Sequence, residues 1–190
     1  MFGGCPVNLQ DLRGIIVIHA NSPDTLVTDL SKGDFSENFQ KDVLAYWNLI
    51  RGSRQMPSRK DFDPVKVPTA LGNLLLVDVV ANPVKFRIRL LGTGLTPLFE
   101  GDRTGYFIDE IPYSGQIIQR FQWLISHKKP YYIRSDFSWP GEDPKPYTSL
   151  ALPLSEDGQT VTMILCCIHL LQLDPGGKMF WFRHFGGGAS

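Results

Sequence analysis

The chain predicts an α+β fold, and three observations carry that prediction. Phe86, Ile88 and Leu90 alternate with Arg87 and Arg89, the period of a strand with one apolar face, and the pattern breaks at Gly92 and Gly94. Upstream, Phe39, Val43, Tyr46, Trp47 and Ile50 recur at helical spacing as one wide apolar stripe. Downstream, a second helical pattern precedes three extended segments between Tyr131 and Leu170. Strands and helices do not alternate as a parallel sheet would require. The order is helix, two strands, short turns, a longer helix and three antiparallel strands.

Residues 1–33 contain Gly3-Gly4, Pro6 and Asn21-Ser22-Pro23 and read as an irregular lead-in with one short strand inside Gly14–His19. Asp34 with Glu37 three positions later predicts a helix start resembling a capping box, and Gly52 supplies the stop. Gln55 to Pro68 reads as loop, with Asp63-Pro64 capping one short turn. Leu74–Val80 is a buried strand interrupted only by Asp78, and Ala81-Asn82-Pro83 turns it into the Phe86–Leu91 strand. Thr93 is expected to accept the free N–H groups of a short turn in which Leu95, Leu98 and Phe99 pack inward. Glu100–Ile111 supports only turns.

Ser114 is expected to cap a helix with Ile117, Phe121, Leu124 and Ile125 on one face, closing at Lys128-Lys129-Pro130. In the next strand Tyr131, Ile133, Ser135, Phe137 and Trp139 share a side, opposite Arg134 and Asp136. Pro140 to Pro146 turns into a strand at Tyr147–Leu154, and Ser155-Glu156-Asp157-Gly158 is a hairpin signal. Thr160–Leu170 is apolar on both parities and reads as central in the sheet. Phe180 to Phe185, after Pro175-Gly176-Gly177, is an aromatic tail expected to fold back on the domain. The division is therefore 1–33 lead-in, 34–172 domain and 173–190 tail.

A chain of 190 residues suits one domain, and its zero formal charge offers no field that would draw it to nucleic acid. Charge is uneven: residues 1–37 hold Arg13 and Lys32 against Asp11, Asp24, Asp29, Asp34 and Glu37, while 51–66 is basic. Cys5, Cys166 and Cys167 offer neither a disulfide framework nor a metal pair, because adjacent cysteines in a strand face opposite ways. Reduced thiols fit a cytoplasmic protein. Ile15-Ile16-Val17-Ile18 is too short for a signal core or a membrane span, so neither export nor membrane insertion is expected.

Catalytic and metal patterns are weak. No two of His19, His127, His169 and His184 stand at ligand spacing, and His127 reads as a solvated helix-end residue before it reads as a heme ligand. The third glycine of a dinucleotide fingerprint begun at Gly92-Thr93-Gly94 would fall on Pro97. Asp61 and Asp63 lack the rest of a calcium loop. Neither a cofactor nor a metal is expected. Phe99, Phe121, Trp123, Tyr131, Phe137 and Tyr147 lie where a pocket would be; most aromatics are core, and Phe99, Phe121, Trp123, Phe137 and Tyr147 are taken as the lining. With Arg89 and Thr93 as polar groups, these are the expected ligand-binding residues.

Leu44-Ala45-Tyr46-Trp47, Met56-Pro57-Ser58-Arg59-Lys60-Asp61-Phe62-Asp63-Pro64 and Leu74–Val79 together resemble a bacterial PAS-like family. Phe86-Arg87-Ile88-Arg89-Leu90-Leu91-Gly92-Thr93, Gly101-Asp102-Arg103-Thr104-Gly105 and Leu152–Gly158 continue the resemblance, which covers roughly 39–170. It implies a five-stranded antiparallel sheet with short helices on one face and an N-terminal amphipathic helix. It also implies a non-catalytic sensory module with a small-molecule ligand, a signalling partner and a homodimer formed through the Phe39–Ile50 helix. The flavin-attaching cysteine of light-sensing relatives is absent, since neither Cys166 nor Cys167 lies in a helical region. No output segment is evident, so output is expected from another protein. The alternatives are a protein-binding scaffold with a filled cavity, or a small cone-fold enzyme using Asp109 or His169 as base.

Overall fold

A computed structural model describes residues 11–12, 15–17, 25–30, 35–112, 114–137, 145–173 and 179–181. Helix α1 is Asn38–Arg51 and helix α2 is Gly115–His127. The central strands are β4 (Leu74–Val80), β5 (Lys85–Leu91), β6 (Tyr131–Phe137), β7 (Lys145–Leu154) and β8 (Met163–Leu173). They pair antiparallel in the order β6-β7-β8-β4-β5, which puts β8 in the middle as its two-sided apolar pattern requires.

The sheet is wider than five strands. β1 (Asp11–Leu12), β2 (Ile15–Val17) and β3 (Thr25–Val27) continue it past β6, with Leu26 opposite Ile133. The lead-in is thus partly sheet, and β2 falls inside the one strand expected there. Beyond β7 the chain of β8 pairs with β9 (Met179–Trp181), Leu171 opposite Trp181, so this part of the tail does turn back. Trp139 and the rest of the tail lie outside the described residues. The short apolar runs of the lead-in gave no clear alternation, and edge pairing decided their state.

Strand alternation sorts the residues onto two faces. Tyr131, Ile133, Ser135 and Phe137 share one face with Tyr147, Ser149, Cys166, Ile168 and Leu75, as the paired registers require. This face is covered by α2 and the turns between β5 and α2, where Leu95, Leu98 and Phe99 are buried as their spacing predicted. The opposite face carries Thr148, Leu150, Cys167 and His169 and is covered by α1. Val43 and Trp47 are buried there, so the apolar stripe of α1 is spent on its own sheet.

Two side chains fasten α1. Trp47 Nε1 donates to the Pro153 carbonyl at 3.0 Å, and Gln40 Nε2 donates to the Cys167 carbonyl at 2.9 Å. Gln40 is fully buried and shares a polar cluster with Ser36 and Thr148, whose hydroxyls are 2.8 Å apart. Asp34, the first residue of the expected capping box, lies outside the described residues. Glu37 is itself the N-cap, with no side-chain bond to the helix, because Phe35 packs edge-on against Tyr132 and the Tyr132 hydroxyl accepts from Ser36 N–H. The stop at Gly52 is as expected, at φ 55.

The Gln55–Pro68 stretch holds more structure than a loop. Short 3-10 turns run over Arg59–Asp61, Pro64–Lys66 and Pro68–Asn73, and Asp63 caps the second by accepting from Val65 N–H. The Thr93–Leu95 turn is not capped by Thr93; Gly92 precedes it with no side-chain cap. Ser114 likewise makes no cap bond to α2.

Candidate functional site

Between the sheet and α2 lies a cavity of about 30 Å3, room for roughly two water molecules. Its walls are Phe99, Phe121, Phe137, Leu98, Ile108 and Ile133, and its polar lining is Arg120, Tyr131, Tyr147, Ser149 and Cys166. Four expected residues, Phe99, Phe121, Phe137 and Tyr147, meet here because β6 and β7 present them on one face and α2 closes over them.

Three expected residues are elsewhere. Arg89 projects from the other face of β5, with Nη1 3.5 Å from Asp78 Oδ2, which also accepts from Arg87 at 3.0 Å. A β-bulge between Leu76 and Val77 shifts the β4–β5 register beside it. Thr93 is exposed and gives its carbonyl to Thr96 Oγ1. Trp123 is buried behind the cavity, stacked on His127 at 4.4 Å, and its Nε1 has no hydrogen-bond partner among the described residues.

The residue missed is Arg120. It is 4% exposed, and its guanidinium donates to Tyr147 Oη at 2.8 Å and to Ser135 Oγ at 3.4 Å. The signal was present: Arg120 follows Ile117 by three and precedes Leu124 by four, a cation inside the apolar face of α2. Burial pushes the Cys166 thiol up to about 12, and burial raises the Tyr131 phenol well above its ordinary range. Cys166 faces the cavity and Cys167 the α1 side, so the pair diverges as expected. Burial raises the Cys167 thiol too, and both remain protonated at neutral pH.

The alternative bases are not in this cavity. Asp109 is exposed and paired with Lys85 at 2.9 Å, which holds its carboxyl below the usual range. His169 lies under α1, tilted against the Phe39 ring, with Nε2 3.7 Å from Glu37 Oε1. A carboxylate–histidine contact therefore exists, but away from the cavity. His127 turns its Nδ1 to the Trp123 carbonyl at 2.9 Å. Among the described residues no three His, Cys, Asp or Glu side chains gather as a metal site, and no helix is long and apolar enough to cross a membrane.

Burial lowers His169 to about 4 from 6.5, so the folded protein keeps it neutral where the unfolded chain would protonate it. Its contribution to stability is full above about pH 6.5 and is lost as pH falls towards 4. Glu37, raised by burial, works in the opposite sense as it takes up its proton. The stability advantage of wild type over His169→Phe should shrink by on the order of 1–2 kcal/mol across that window, allowing for solvent screening. Urea midpoints at pH 7.0, 5.5 and 4.5 check this, and a constant difference would refute it.

Residues 36–109 match the family model described as PAS domain, a span from α1 through the turn after β5. No curated protein matches the chain. The matched span supplies α1, β4 and β5, while α2 and β6–β8 complete the sheet and cavity outside it. Over that span the chain is similar to PAS domains, and an antiparallel sheet flanked by short helices is consistent with that fold.

Proposed function

We propose that this protein is a non-catalytic cytoplasmic regulatory module that takes a small ligand in the cavity and passes the change to a signalling partner through α1. Supporting this is one observation above the rest: apolar walls converge with a buried guanidinium and hydroxyls on the sheet face opposite α1. The central strands β7 and β8 touch both layers, so a shift at Tyr147 or Cys166 is one residue from Thr148 and Cys167, where Gln40 is anchored. Ligand binding would bias two packings of α1 on the sheet. A homodimer through this helix would use its outward side, where Lys41, Asp42, Ala45 and Leu49 are exposed.

The small volume favours a second reading, a protein-binding scaffold whose cavity is filled by its own side chains. A thermal-shift screen of a broad small-molecule library, with hits checked by native mass spectrometry, separates them. Sensing predicts a hit on wild type that is lost in Ser149→Val, whose extra methyl groups enter the cavity. A library without hits, alongside an intact protein–protein complex, supports the scaffold. Failure to bind either ligand or protein rejects both.

A further inference from the structure

We infer that a groove between α1 and the turn after α2 is a binding site for a small organic phosphate with an aromatic body. The groove shares no lining residue with the sheet–α2 cavity, and neither site needs the other.

The groove holds about 500 Å3, a volume typical of pockets for small organic ligands and far larger than the cavity. On α1 its lining is Leu44, Trp47, Asn48 and Arg51, which follow one another at helical spacing. Across from them is Lys128-Lys129-Pro130, the turn that carries the chain from α2 into β6. An occupant would therefore tie α1 to the end of α2. Arg51, Lys128 and Lys129 are the charged side chains among the described residues lining the groove, and no carboxylate joins them. None of the three has an ion pair among the described residues. Neutral groups hold Arg51 in place: Nε donates to Asn48 Oδ1 and Nη1 to the Arg54 carbonyl, each at 3.0 Å, which leaves Nη2 for a ligand. Lys128 keeps a left-handed backbone, φ 54, where glycine or asparagine is the usual residue.

Two of these cations answer helix ends, Arg51 in the last turn of α1 and Lys128 at the cap of α2. Each helix end carries only about half a negative charge, so the groove keeps roughly two net positive charges. A phosphate monoester carries about 1.5 to 2 negative charges at neutral pH and presents three acceptor oxygens, which matches that balance and the three donors. Leu30, Leu44, Trp47 and Pro130 add apolar surface, which suits a flat ring and offers nothing to a bare ion. The Arg51 guanidinium already lies over the Trp47 ring at 5.5 Å, and such planes also stack on aromatic ligands. Beyond the groove α1 has mixed charge, Lys41 beside Asp42, so no basic track continues for an extended acidic peptide.

The test is calorimetry on the full chain with naphthyl phosphate, against naphthol, inorganic phosphate and an oligoglutamate peptide. The expected result is one saturable site for naphthyl phosphate, at least about tenfold tighter than for naphthol or inorganic phosphate and weakened by added salt. Lys128→Asn with Lys129→Gln removes two cations while keeping a residue suited to φ 54, and should lower affinity about tenfold or more. Asn48→Glu, at an exposed position, sets a carboxylate beside Arg51 and should lower it similarly; it carries the test if the double variant does not fold. Naphthol binding as tightly overturns the phosphate, and inorganic phosphate binding as tightly overturns the aromatic body. Oligoglutamate binding without naphthyl phosphate binding makes the groove a protein-docking surface and overturns the small ligand. Absence of naphthyl phosphate binding, binding unchanged in both variants, or binding lost in Ser149→Val overturns the site. The cavity reading survives each of these results, because its own test is the library screen with Ser149→Val.

Discussion

Gly92→Ala is expected to destabilise the domain by about 3 kcal/mol, more than any other single methyl added at a described glycine. A Cβ at position 92 would lie 2.5 Å from the Gly72 carbonyl oxygen and 2.9 Å from the Leu71 oxygen. Both contacts are to backbone, so no side chain can swing aside. Gly92 cannot retreat either: its N–H donates to Leu74 O at 2.8 Å and its carbonyl accepts from Leu95 N–H at 2.9 Å. The cause is close approach, not conformation, since φ at Gly92 is −62. Two controls isolate it. Gly105 has φ +92 with open space around it, so Gly105→Ala should cost only about 1 kcal/mol of backbone strain. Gly115, at the start of α2 with nothing within 4 Å, should become slightly more stable as alanine, by roughly 0.5 kcal/mol. Urea unfolding of the three variants gives the ranking, and a Gly92→Ala no weaker than Gly105→Ala would refute the packing argument.

That glycine also marks how much the residues reveal by themselves. Alternation located β5 and placed Phe86 and Ile88 on its apolar face, but the bulge turns Leu90 out and Leu91 in; the break at Gly92 was legible as a break. The reason for glycine was not, because it lies in the Pro68–Asn73 turn arriving from elsewhere in the chain. The same distinction runs through the site. Phe99, Phe121, Phe137 and Tyr147 were legible as pocket residues because periodicity fixes which side of a strand or helix a residue takes. Arg89 lies on the polar side that its alternation with Phe86 and Ile88 already gives it, away from the cavity, and it pairs there with Asp78. Arg120 was passed over because a cation inside an apolar stripe reads as an interruption until the opposite strand supplies Ser135 and Tyr147. Of the three strands beyond β6, β2 was legible as the apolar run inside Gly14–His19, while β1 and β3 depended on pairing at a sheet edge, information that belongs to the partner strand as much as to the segment itself.

Trp47→Ala should cost about 3–5 kcal/mol, the range for removing a buried indole. Trp47 is 3% exposed, bridges α1 to β7 through Pro153, and sits under the Arg51 guanidinium, whose carbon is 5.5 Å from the ring centre. Trp47→Phe keeps most of the apolar contact and loses the N–H donor, so it should cost only about 1–2 kcal/mol. The distribution of the loss matters more for function than its sum. Gln40 ties the first turn of α1 to Thr148 and Cys167 independently of Trp47, two turns away. In Trp47→Ala the helix should therefore loosen from its C-terminal end. Amide exchange should rise by tenfold or more for residues after Tyr46, with much smaller changes near Val43 and in β8. Gln40→Leu should show the reverse gradient. Such a pattern would make α1 a lever hinged at either end, able to report a change in β7 and β8 without unfolding the sheet. Uniform loss of protection through α1, β7 and β8 in both variants would instead mean that helix and sheet open as one unit, and a relay through α1 would have no separate motion to use.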